Sequence, residues 1–354
     1  MLLHNKIDKC VLKEMIANDP TQRKTLSFYK YFKIDYTQAY RDQLYKDWKE
    51  LGCLGRIYLA TEGINAQMTV PIDNWNKWVE YLYADNNLMN VPLKIAIEDH
   101  SKSFYKLKIK VRSKILADGL DDSTFNPWNT AKHLSAKEMN EAIAQGAIVI
   151  DMRNHYESEV GHFEGAITPD ADTFRQELRM VEGMLEGKED EKVVMYCTGG
   201  IRCEKASAYF KHKGFKDVNQ LRGGIIEYTH QVQESNLDNK YIGKNFVFDE
   251  RLGERISDEV IAHCHQCGEF CDNHTNCANV ECHLLFIQCD ACKAKYEECC
   301  SDECNDIIHL SEEAQRGRRK GKQLHGNTRN VFKKGRFNKR ADGSISKAST
   351  VDQM

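Results

Sequence analysis

At 354 residues, 41% of them apolar, with four tryptophans and 29 Phe or Tyr, the chain is long enough for two or three domains with real cores. No stretch approaches the ~18 continuous apolar residues of a membrane span, and the charged start Met-Leu-Leu-His-Asn-Lys-Ile-Asp-Lys-Cys does not read as a secretory leader, so a cytoplasmic protein with no membrane partner is expected. The net charge of −3 hides an asymmetry: residues 314–340 hold eleven Lys or Arg and no acid, and removing those eleven positive charges leaves −14 for the remainder.

Residues 1–22 read as a helical lead-in. Thr25–Phe32 has strand composition, Tyr36–Leu51 has helical spacing through Tyr40, Leu44, Trp48 and Leu51, and Gly55–Ala60 and Ile64–Val70 flank the tight connection Glu62-Gly63. A second amphipathic helix over Asn74–Tyr83 precedes strands at Leu93–Ile97 and Phe104–Ile115. The order β-α-β-β-α-β predicts a ferredoxin-like domain over residues 23–116, with two helices on one face of an antiparallel sheet. In its last strand Lys106, Lys108, Lys110, Arg112 and Lys114 alternate with apolar residues, so period two puts the five cations on one face. That pattern suits first an ordinary solvated face, and second a basic platform that tracks a phosphate backbone.

A turn-rich linker, residues 117–128, leads into an α/β pattern over 129–238. A helix at Ser135–Gln145 precedes the buried strand Ala147-Ile148-Val149-Ile150, which ends at Asp151 and Arg153. A helix around Asp172–Leu185, the strand 193–196, a helix to Lys213, the strand Phe215–Leu221 and the helix Ile225–Gln233 follow. Alternating strands and helices predict a parallel sheet covered on both faces, with ligand sites at the carboxyl ends of its strands. There stands Cys197, between an apolar strand and a helix, followed by Thr198, Gly199, Gly200, Ile201, Arg202 and Cys203. Unpaired N–H groups and the dipole of a helix N-terminus favour a thiolate in such a turn, so Cys197 is the candidate nucleophile.

The ordered segments Ile148-Val149-Ile150-Asp151-Met152-Arg153, Gly161-His162-Phe163-Glu164-Gly165-Ala166, Cys197-Thr198-Gly199-Gly200-Ile201-Arg202 and Gly223-Gly224 resemble the motifs of a rhodanese domain. Four residues separate Cys197 from Arg202, whereas protein-tyrosine-phosphatase loops have five, so the loop suits sulfur-sized rather than phosphate chemistry. The resemblance makes Cys197 a persulfide-carrying nucleophile, with loop N–H groups and Arg202 steadying its charge. Cys203 is then either a resolving thiol or a small packing residue, and Asp151 and Arg153 support the rim.

Residues 239–310 hold ten cysteines between Cys264 and Cys304. Cys264-x2-Cys267 and Cys289-x2-Cys292 have zinc-ribbon spacing, and Cys271, Cys277, Cys282, Cys299, Cys300 and Cys304 are candidates for a second site, with His263, His265, His274 and His283 nearby. So few large aliphatics leave the folding energy to a metal, with zinc favoured over redox or Fe–S roles and over free thiols. The basic tail, 311–354, has the composition of a disordered segment, either solubilising or an RNA tether.

Taken together, Ser27-Phe28-Tyr29-Lys30-Tyr31-Phe32, Glu62-Gly63-Ile64-Asn65-Ala66, the rhodanese segment through Cys203-Glu204-Lys205-Ala206, Gly243-Lys244-Asn245-Phe246-Val247-Phe248-Asp249 and His263-Cys264-His265-Gln266-Cys267-Gly268 closely resemble the bacterial rhodanese-domain tRNA uridine hydroxylases, over residues 1–310. The resemblance implies oxygen-dependent conversion of wobble uridine 34 of tRNA to 5-hydroxyuridine, dependent on Cys197, with O2 as co-substrate and an unidentified reductant. One route is attack of an oxidised or persulfidated Cys197 on C6 of the uracil, which activates C5. No flavin or nicotinamide fingerprint stands out. A sulfurtransferase passing a Cys197 persulfide to a thiol or to tRNA is the alternative enzyme, and a non-catalytic zinc and RNA scaffold is the alternative outside catalysis.

Overall fold

The computed structural model describes residues 5, 7–99, 101–319, 337–339 and 345–347. After helix α1 (Lys9–Asn18) come β1 (Arg23–Tyr31), α2 (Thr37–Glu50), β2 (Leu54–Ala60), β3 (Gly63–Pro71), α3 (Trp75–Ala84), β4 (Lys94–Ile95) and β5 (Leu107–Val111). The sheet order is β4-β1-β3-β2-β5. The first four strands are antiparallel in the ferredoxin-like order, and β5 adds to the far edge parallel to β2. Of the two last strands expected, Leu93–Ile97 shrinks to two residues and Phe104–Ile115 to five.

Strand alternation gives this sheet two different faces. Leu26 and Phe28, Ala66 and Met68, Ile57 and Leu59, and Leu107 and Ile109 are buried on one of them, against Trp48 of α2 and Trp78 of α3. Phe28, Trp48 and Trp78 meet with ring centroids 6.1–6.4 Å apart. Directly paired residues share a face, so the other carries Lys94 opposite Ser27, Tyr29 opposite Asn65, Gln67 between Ser27 and Arg56, Tyr58 opposite Lys110, and Arg56 opposite Lys108.

The next segment runs β6 (Lys132–Leu134), α4 (Ala136–Ala144), β7 (Ile148–Asp151), α5 (His155–Ser158), β8 (Gly161–Phe163), α6 (Phe174–Met184), β9 (Lys192–Tyr196), α7 (Ile201–His212), β10 (Asp217–Leu221) and α8 (Gly224–Ser235). Strands β6-β10-β9-β7 form the expected parallel sheet. Its central strand β9 is apolar from Val193 to Tyr196 because both faces are covered: Val193 and Met195 join one core cluster, Val194 and Tyr196 the other. A capping box between Ser135 and Glu138 starts α4 where the sequence places it.

Both sheets lie in one compact unit, residues up to 158, 162–241 and 245–256, while 159–161, 242–244 and 257 onward form a second. The strands β11 (Tyr241–Asn245) and β12 (Glu254–Arg255) follow α8. The second unit contains the antiparallel pair β13 (His274–Asn276) and β14 (Leu285–Ile287) and the helices α9 (Asp290–Tyr296), α10 (Asp302–Ile308) and α11 (Glu312–Arg319). The expectation of a disordered tail falls mostly on residues outside those described; of its start, α11 is helical. No helix among the described residues is long and apolar enough to cross a membrane.

Candidate active site and metal centres

Cys197 stands just past the carboxyl end of β9, in the turn that enters α7. Gly200 caps α7 at φ +96°, a left-handed conformation that glycine adopts without strain, and a Cβ there would also stand 2.8 Å from the Tyr29 hydroxyl. The Gly200 N–H donates to Cys197 Sγ at 3.1 Å. From the other side, Ile225 N–H at the start of α8 donates to the Cys197 carbonyl at 3.0 Å. This close approach accounts for Gly223-Gly224: a Cβ on Gly224 would lie 2.4 Å from that carbonyl oxygen.

Cys197 is 1% exposed. Burial alone would raise its thiol, but the hydrogen bond from Cys203, the Arg202 guanidinium and the N–H groups of Arg202 and Gly200 outweigh it and bring the thiol down to about 6. Cys197 is therefore a thiolate at neutral pH. Cys203 is fully buried and its own thiol is pushed well up, by burial and by the neighbouring Cys197 sulfur, so it is a neutral donor to that sulfur. Arg202 forms a bidentate pair with Glu157 (2.6 and 2.8 Å), which sequence reasoning missed; it acts on Cys197 by its charge and main-chain N–H. Glu177 of α6, also missed, is fully buried with neither carboxyl oxygen bonded, and burial pushes it well above the usual carboxylate range.

Asp151 and Arg153 stand at no open rim: both are fully buried. Arg153 holds both oxygens of Asp151 (2.8 and 2.6 Å), Tyr196 donates to the same carboxylate at 2.8 Å, and the guanidinium lies between the rings of Tyr196 and Tyr241. The pair braces the end of the strand beside the loop.

The polar face of the first sheet covers this loop. The Tyr29 hydroxyl donates to Glu204 at 2.9 Å, and Lys94, 6% exposed, has its ammonium over the Tyr29 ring at 4.4 Å. Burial lowers Lys94 to about 8, while the negative Cys197, Glu204 and Glu227 resist that fall. One helical residue on, Lys205 is held by Glu62 at 2.9 Å and by Asp122 at 2.8 Å. Three segments that carried the family resemblance, around Tyr29, Glu62 and Glu204-Lys205, thus meet at one junction. No periodicity signals that junction, and Lys94 had no sequence signal at all.

The five basic residues of the last strand do not stay together. Lys108 and Lys110 share the sheet face with Arg56 of β2, which sequence reasoning missed. Burial and then its cationic neighbours Lys110, Arg56 and Lys106 lower Lys108 to about 8, the condition of a site short of anions. Lys106 stacks on Tyr105 and Arg112 on Tyr58. Lys114 lies past the strand end and is taken up by Asp118, Asp122 and the Leu120 carbonyl, so it leaves the platform.

In the second unit, Cys264, Cys267, Cys289 and Cys292 form one cluster and Cys277, Cys282, Cys300 and Cys304 another, each with its sulfurs within 4.8 Å of one another. Cys271 and Cys299 belong to neither, and none of His263, His265, His274 and His283 joins them. Neighbouring sulfurs lie 3.6 Å apart (Cys267–Cys289) and 3.7 Å apart (Cys282–Cys300, Cys300–Cys304). Bonds of ~2.3 Å to a tetrahedral zinc put sulfurs about 3.8 Å apart, so both sets fit.

Residues 23–115 match the family described as UPF0176 acylphosphatase like domain, 135–231 the rhodanese-like domain, and 242–305 the rhodanese C-terminal family. A protein of Leptospira interrogans named tRNA uridine(34) hydroxylase is 54% identical over 321 residues, 90% of this chain and 88% of that one. Proteins of the same name from Hamiltonella defensa and Pectobacterium carotovorum are 50% and 53% identical, over 99% and 91% of this chain and 98% and 91% of theirs. The chain belongs to the tRNA uridine(34) hydroxylase family.

Proposed function

We infer that this protein hydroxylates C5 of the wobble uridine of tRNA, with Cys197 as the reacting group and dioxygen as the oxidant. The observation that carries the reading is a thiol brought down to about 6 in a loop roofed by a sheet whose polar face also carries Arg56, Lys108 and Lys110. The sulfur adds to C6 of uracil, which makes C5 electron-rich; oxygen is accepted at C5, and loss of the C5 proton with expulsion of the sulfur restores the ring. With dioxygen, the second oxygen atom leaves as water and two electrons come from an external reductant. Because Cys197 is 1% exposed, the Tyr29–Glu204 contact opens for the base to reach it. A tRNA substrate puts this work in the cytoplasm. Each four-cysteine cluster holds a structural zinc, which supplies folding energy rather than chemistry at Cys197.

The test is nucleoside mass spectrometry of tRNA from a strain lacking the gene. Wobble bases derived from 5-hydroxyuridine disappear and return with the wild-type gene but not with Cys197→Ser. Return with Cys197→Ser would end the Cys197 mechanism. Loss of thiolated bases instead, with brisk thiosulfate–cyanide turnover, would favour sulfur transfer.

A further inference from the structure

A cavity of about 250 Å³ lies against Lys205 of α7 and is lined also by Tyr31, Glu62, Asp122, Pro127 and Trp128. That is below the roughly 300 Å³ at which pockets for drug-sized ligands begin, so it suits one flat ring system. The rings of Tyr31 and Trp128 meet edge to face at 5.8 Å, and Trp128 is 56% exposed at the mouth. Tyr31 lies two residues from Tyr29 on the same strand face, about 6.6 Å along the strand, and Lys205 adjoins Glu204, the Tyr29 partner. The Tyr31 hydroxyl is buried with no hydrogen-bond partner.

The charge of the walls selects the ligand. Lys205 is shared between Glu62 and Asp122 with Asp118 at 4.0 Å, and Lys114 is bonded to Asp118 and Asp122. Three carboxylates against two ammoniums leave one negative charge, which repels a phosphate and attracts N–H donors. An aromatic slot with carboxylate acceptors matches a nucleobase edge that presents N–H donors, such as the ring N–H of uracil or guanine. Resting on the tRNA reading above, we propose that the Tyr31–Trp128 slot holds the base of a nucleotide adjacent to the one that reaches Cys197. The phosphates on either side fall to the separate cations Arg56, Lys108 and Lys110 of the same sheet face.

The test uses the full-length protein and a substrate anticodon stem-loop. Loss of one base–aromatic stack costs roughly 5- to 150-fold in affinity, so Trp128→Ala weakens binding by that factor and leaves the salt dependence unchanged. Tyr31→Phe keeps the ring and binds near the wild-type affinity. Stem-loops carrying a photoreactive base at each anticodon-loop position in turn crosslink to Trp128 or Tyr31 from one position only. Wild-type affinity in Trp128→Ala, with crosslinks elsewhere, would overturn the slot while leaving the tRNA reading intact. Absence of RNA binding by the wild-type protein would remove both.

Discussion

Replacing Cys203 by alanine tests the electrostatics of the loop, because that thiol is the leading influence holding the Cys197 sulfur ionised against its burial. A hydrogen bond to a charged acceptor is worth ~1.5–3 kcal/mol, and a thiol is a weak donor, so the low end applies. Since 1.36 kcal/mol corresponds to one pH unit in a pKa, Cys203→Ala raises the Cys197 thiol by about one. At pH 7 the wild-type protein, at about 6, holds roughly ten thiolates per thiol. The variant holds about one. Ultraviolet thiolate absorbance followed from pH 4 to 9 measures this, each protein being compared with its Cys197→Ser counterpart so that other thiolates cancel. Cys203→Ser retains a donor and titrates near the wild type. An unchanged midpoint in Cys203→Ala would refute the hydrogen-bond role. If Cys203→Ser lost activity as fully as Cys203→Ala while titrating normally, Cys203 would be a resolving thiol.

Activity should be bell-shaped in pH. It rises as Cys197 ionises above about 6 and falls as Lys94 loses its proton above about 8; Lys94→Arg stays charged and abolishes the alkaline limb of kcat/KM, and retention of that limb would exclude Lys94. Lys205→Met leaves Glu62 and Asp122 without their common cation and costs ~3 kcal/mol in urea unfolding, and a loss under ~1 kcal/mol would show the junction to be incidental. Elemental analysis should find two zinc ions per chain, falling to one in Cys282→Ser and in Cys292→Ser and unaffected by Cys271→Ser; a loss in the last would reassign the ligands. Lys108→Glu with Lys110→Glu should flatten the salt dependence of tRNA binding by about 0.7 for each phosphate no longer neutralised, and an unaltered slope would make that face mere solvation.

Much of the fold is legible in the order of the residues, because it rests on local periodicity. Alternation in Arg23–Tyr31 and Leu107–Val111, helical spacing through Leu44 and Trp48, and the apolar run ending at Tyr196 each describe neighbours within a few residues. The spacing of Cys197 and Arg202 and the two Cys-x2-Cys pairs belong to the same class, since their geometry is set by short stretches of backbone. What pairs with what across the chain is decided elsewhere. Arg202 is claimed by Glu157, Lys205 by Glu62, and Lys94 is brought over a loop a hundred residues further on. In the second cysteine cluster, Cys277, Cys282, Cys300 and Cys304 converge while Cys271 and Cys299, no less suited by spacing, do not. The physical reason is that a side chain's chemistry depends on burial and on the charges that surround it, and both are set by packing between segments. By itself the sequence determined that Cys197 stands at a strand-to-helix turn; only the tertiary structure decided that the polar face of another sheet closes over it.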